Sequence, residues 1–197
     1  MPFSSLSLIL IHFPERADVV PGESLKSTDV LAWLVACEEI RQLASRYAIC
    51  YGARDTENLA RLFVPDIRVS RDESGTEALR RSFDEQMKSL GRVILQVSNQ
   101  SIDVHDRLTA SGVVSCRGEI EDAQGSWIIH QIQYHDTYRC VEGNWLFARR
   151  QHLLWYGHDM PNPPMDLADA HWPRNQKGRG ELPECLESWQ KWTATNG

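Results

Sequence analysis

No basic cluster in this 197-residue chain is longer than the pairs Arg80-Arg81 and Arg149-Arg150, and the net charge is -6. A protein that grips phosphates shows a basic face, so nucleic acid is not an expected partner, and a polybasic membrane contact is not expected either. Long apolar runs are missing too. The longest near the start, Leu8–Ile11, is short, with no positive segment before it and no small-residue cleavage site after it, so neither a signal peptide nor a membrane span is expected. Cysteine offers no framework. Cys37, Cys50, Cys116, Cys140 and Cys185 are odd in number and widely spaced, without a CxxC pair, which predicts reduced thiols and a cytoplasmic setting. A glycine-rich phosphate loop, an internal repeat, His/carboxylate spacing for a metal and a nucleophile elbow are also absent. No metal or cofactor is expected.

What is present is ordinary globular composition, 42% hydrophobic and 24% charged, in a chain long enough for one domain with a sizeable core. Ile40, Leu43, Ala44, Tyr47, Ala48 and Tyr51 recur at helical spacing behind a cap at Thr28 or Asp29, and Gly52 offers a left-handed stop. Asp55 caps a short second helix that Pro65 ends, and a short strand is predicted at 67–69. Gly75-Thr76 opens a third helix running to about Leu90. After Gly91 the period becomes alternating, predicting strands at 93–104, 109–121, 126–140 and 144–156. Helices followed by consecutive antiparallel strands predict an α+β domain over 27–157, after an N-terminal extension at 1–26. Residues 158–197 form a Pro- and Trp-rich arm with a last helix at about 183–192. It carries Trp172, Trp189 and Trp192, three of the seven tryptophans, and is expected to pack across the domain or onto a second subunit.

Residues 46–55 (RYAICYGARD), followed by Leu59 and Leu62-Phe63, resemble the first helix-turn-helix of the SnoaL-like (NTF2-like) proteins. Residues 134–149 (YHDTYRCVEGNWLFAR) resemble their final hairpin, and the resemblance covers about 30–156. It implies a cone-shaped fold, with N-terminal helices on a curved antiparallel sheet enclosing one pocket, and a homodimer or homotrimer. That fold serves polyketide cyclases, scytalone and bile-acid dehydratases, limonene epoxide hydrolase and non-catalytic binders, so it narrows function only to a small, mostly apolar ligand.

Site residues follow from the same resemblance. The His–Asp pair of the dehydratase-like members maps to Leu95 and Gly52, with Asn99 at the accompanying Asn, and Tyr47 matches a tyrosine of the bile-acid enzyme. The Arg-x-Asp element of the epoxide hydrolase maps to Arg117 and Glu119, with its second acid near Arg150. From alternation alone, His130, Tyr134, Asp136 and Tyr138 share one face, as do Arg150, His152 and Leu154, while Arg149, Gln151 and Trp155 share the opposite one; the inward face is left open. Asp136 and Arg139 are expected to be structural or exposed. The leading expectation is a cofactor-independent lyase or isomerase for a small hydrophobic, aromatic or polycyclic metabolite. Its catalytic candidates are His130, His152, Tyr47, Arg117 and Glu119, and Tyr51, Tyr134, Leu95, Asn99, Arg150 and Trp155 are expected around the ligand. The alternatives are a binding protein without catalysis, since the dyad positions hold Leu95 and Gly52, and an assembly subunit like the small subunit of aromatic-ring dioxygenases.

Overall fold

The computed structural model describes residues 26, 29–161, 164 and 182–197. All of the expected extension at 1–26 but Lys26, together with Trp172 and most of the arm, therefore lies outside the described residues. The first helix, α1 (Val30–Gly52), starts where the Asp29 carboxylate accepts the Ala32 amide at 3.0 Å. It buries Ala36, Cys37, Ile40, Leu43, Ala44 and Tyr47 along one stripe. The left-handed residue after α1 is Arg54, φ 51°, rather than Gly52, which stays helical. Glycine is needed there for another reason: a Cβ at position 52 would sit 2.9 Å from the Val93 carbonyl oxygen. Asp55 then caps α2 (Thr56–Arg61), and α3 (Thr76–Lys88) follows. The strand expected at 67–69 is absent; only a bridge between Arg68 and Ser74 forms, because the chain turns back at 70–73, where Val69 and Ser70 both donate to the Glu73 carbonyl.

The strands β1 (Leu90–Val104), β2 (Thr109–Asp122), β3 (Trp127–Val141) and β4 (Asn144–Met160) form one antiparallel meander in the order β1-β2-β3-β4. β4 runs past the boundary expected at 157. The β3–β4 turn uses Glu142 and Gly143, both at positive φ, the geometry a two-residue hairpin turn demands. Register slips at Val97/Gln100 and, between β3 and β4, at Gln131/Ile132 and Thr137/Tyr138 insert extra residues. Bulges bend and twist a sheet, and here they give the curvature that wraps the strands round the helices. The core lies between the concave face and α1–α3, built on Ile40, Leu43, Leu59, Phe83, Val114, Ile132 and Phe147. The whole is an α+β domain with the cone architecture.

The last helix, α4 (Glu187–Asn196), begins and ends later than its tryptophan spacing predicts. It docks beside α1. Ser188 Oγ donates to the Ala53 carbonyl at 2.8 Å, and the buried Trp192 donates Nε1–H to Asp84 on α3 at 2.9 Å. Trp189 and Trp192 flank the Arg54 guanidinium at 3.9 and 4.2 Å.

Candidate functional site

Strand pairing settles which face is inward. Gly112, Val114, Cys116 and Gly118 of β2 stand opposite Asp136, Tyr134, Ile132 and His130 of β3, and all of these point toward the helices. β4 continues the rows, Arg150 opposite Asp136 and His152 opposite Tyr134. The concave face therefore carries Leu95, Ile132, His130, Tyr134, Asp136, Arg150 and His152, with Tyr47 and Tyr51 of α1 above them.

At its centre is an ion pair removed from water. Arg150 donates Nε–H to Asp136 Oδ1 at 3.0 Å and Nη2–H to Oδ2 at 2.7 Å, and Tyr138 donates its hydroxyl to Oδ2 at 3.0 Å. The two side chains are 5% and 0% exposed. Rings of Tyr134, Phe147 and Tyr47 lie 4.1, 4.2 and 4.3 Å from the guanidinium carbon. The stripe of α1 supplies Tyr47, which also packs on Tyr51 and Tyr134 with ring centroids 5.8 and 5.9 Å apart. Burial works against the Arg150 charge, but the attached carboxylate outweighs it and holds the guanidinium's pKa above its ordinary value. Of the two expectations for Asp136, structural or exposed, the structure shows the structural one. The signal was present in the sequence, since it shares the parity of His130, Tyr134 and Tyr138 and is the one carboxylate in that row.

The rest of the concave face is neutral. Burial, with smaller contributions from His130 and Arg150, pulls the pKa of His152 down to about 4, and burial also lowers that of His130. His152 packs edge-on against Tyr134 at 5.4 Å, and its buried Nδ1 has no hydrogen-bond partner among the described residues. Burial pushes the hydroxyl of Tyr47 up to about 12 and the thiol of Cys116 up to about 11, and raises Tyr51 and Tyr134 as well. Further along the sheet the floor is apolar: a Cβ on Gly118 would meet Ile132 at 3.2 Å and Leu95 at 3.4 Å.

The structure brings together Tyr47, Tyr51, Tyr134, Arg150 and His152, with Leu95 on the same face. His130 lies further along, its ring 2.9 Å from where Gly157 would carry a Cβ. Other expected site residues stand elsewhere. Arg117 and Glu119 point to the convex face, where they pair with each other at 3.3 Å, because Gly118 takes the inward position between them. Asn99 is exposed within the β1 bulge, and Trp155, 69% exposed, is the extra residue of the β4 bulge and is turned out of the row. Among the described residues no group of three His, Cys, Asp or Glu is placed to hold a metal ion, and no helix is long and apolar enough to cross a membrane.

A family model described as a SnoaL-like domain matches residues 34–151. Among curated proteins none matches. Solved structures with the same fold include a candidate scytalone dehydratase from Novosphingobium aromaticivorans, 23% identical, covering 71% of this chain and 99% of that one at a TM-score of 0.60. A type 2 hexachlorocyclohexane dehydrochlorinase is 17% identical, covering 75% of this chain and 100% of that one, also at 0.60. The type 3 enzyme of that name from Novosphingobium barchaimii is 16% identical, covering 68% and 95% at 0.61. At these identities the likeness establishes the shared fold.

Proposed function

This chain belongs to the SnoaL-like domain family, and from that premise we propose that it is a cofactor-independent lyase or isomerase acting on a small, mostly apolar molecule bound on the concave face. The observation that carries the reading is His152. Its ring is neutral at pH 7, its buried Nδ1 has no partner among the described residues, and it stands one strand position pair from Arg150. A neutral imidazole can accept a proton from a substrate C–H. Arg150 spends Nε and one Nη2 hydrogen on Asp136, and its guanidinium also hydrogen-bonds the Tyr47 hydroxyl. The protonated Tyr47 hydroxyl, polarised by that cation, supplies the donor to an oxygen that gains charge as the proton leaves. The names of the structural neighbours, two of them eliminating enzymes, are in keeping with this reaction class.

A second reading, a binding protein without catalysis, is favoured by one specific observation. The positions that the resemblance assigns to the catalytic pair are Gly52 and Leu95, and the Val93 carbonyl leaves no room for a side chain at 52. A base with a pKa near 4 also gains little driving force. One experiment separates the two: exchange of the α-protons of 1-tetralone in D2O, followed by proton NMR. The enzyme reading predicts exchange above buffer, falling about 100-fold or more in His152→Phe, the usual scale for losing a general base. Binding of the ketone without exchange assigns the chain to the second reading.

A further inference from the structure

An arginine buried among aromatic rings is the ordinary anchor for a ligand carboxylate, through two parallel N–H donors. On this concave face that role is already taken. Asp136 occupies Nε and Nη2 of Arg150 at 3.0 and 2.7 Å, while Tyr47, Tyr134 and Phe147 line the guanidinium. Among the described residues no other cation reaches the face. Arg54 is turned to Trp189, Trp192 and the carbonyls of Leu90 and Gly91, while Arg117 and Arg149 belong to the convex side. The remaining polar groups, His130, His152, Tyr47, Tyr51, Tyr134 and Cys116, carry no charge at neutral pH. A carboxylate entering here would lose its hydration and meet no free countercharge. An uncharged molecule with one oxygen would lose little and could accept from a tyrosine hydroxyl such as that of Tyr47.

We propose that the concave face selects uncharged hydrophobic molecules bearing a hydrogen-bonding oxygen and rejects their carboxylate counterparts, with Asp136 setting that choice by occupying Arg150. This rests on the reading of the concave face as the ligand site. It assigns Asp136 a specificity role, distinct from proton transfer, and names the ligand class as neutral alcohols, phenols and ketones of aromatic size.

The test uses two probes of nearly one shape, 2-naphthalenemethanol and 2-naphthoate, titrated against the full chain at pH 7.5 by calorimetry. The alcohol should bind at least about tenfold more tightly, the scale of an uncompensated charge in a partly wet site. In Asp136→Asn the freed guanidinium should shift the ratio toward the acid by about tenfold or more. Equal or tighter binding of naphthoate by the wild type overturns the proposal while leaving the ligand site in place. An unchanged ratio in Asp136→Asn overturns the role of Asp136. Failure of both probes to bind removes the ligand site and the proposal together. Should Asp136→Asn not fold, the wild type still decides. A face that admits only the protonated acid binds it about tenfold more tightly per unit fall in pH from 8 to 6, with no change for the alcohol. A flat response for the acid overturns the proposal.

Discussion

Asp136 and Arg150 meet across neighbouring strands with no water to share the charge, so each depends on the other. Removing one partner of such a pair leaves a buried charge unanswered and costs about 3–5 kcal/mol, whereas replacing both with apolar groups is close to neutral. Arg150→Met alone should therefore lower stability by that amount, and Asp136→Leu/Arg150→Met should recover most of it, as read from urea midpoints. His152 gives a second residue-scale prediction. Its folded pKa, about 4, lies below its unfolded value, so the unfolded chain binds more protons between about 6.5 and 4. Stability is then lost as pH falls through that window. Between pH 7 and 5 the wild type should lose more stability than His152→Phe, the difference isolating this ring from other titrations. At this scale the sequence was only partly legible. Alternation sorted the strand residues into two rows but could not say which row was inward, so Arg117 and Glu119 counted equally with His130 and His152. The pairing of Gly118 with His130 resolves it.

The helices and strands themselves were readable from period, because each buries one face: 3.6-residue spacing placed α1 and alternation placed β1 to β4 within a few residues. What period cannot express is an inserted residue. The bulges at Val97/Gln100 and Gln131/Ile132 are single insertions that shift everything after them, and they put Asn99 and Trp155 outside the site expected for them. Gly52 shows the reverse case, a residue whose meaning lies in the neighbouring element. Glycine inside a helix normally costs about 1 kcal/mol relative to alanine. Here a Cβ would press the backbone of β1, so Gly52→Ala should destabilise by about 1–3 kcal/mol, the range for overpacking, instead of stabilising. Chemical denaturation reads the sign directly. Gly52→Asp with Leu95→His should for the same reason fail to install a working pair.

Across the whole molecule, α4 ties the end of the chain to the turn after α1 and to α3. Trp192 is buried, hydrogen-bonded to Asp84 and stacked on Arg54, whose own guanidinium donates to the Leu90 and Gly91 carbonyls at the start of β1. Trp192→Ala should cost about 3–5 kcal/mol, as for other buried aromatic truncations, with a matching drop in the urea midpoint. Tryptophan spacing was enough to expect a docked tail, but its receptor was not visible, because Arg54 reads in the sequence as one more surface charge after a helix. The pair at the centre of the sheet has a consequence for assembly of the fold as well. The β3–β4 hairpin could zip up with its strands offset by one, exchanging the inner and outer rows. In the slip that sets Gln151 opposite Asp136, the carboxylate would face the core without an arginine, at the penalty of a solitary buried charge. The salt link thus works as a one-sided registration key: it penalises that slip, whereas the opposite slip would set Arg149 in the place of Arg150 beside Asp136.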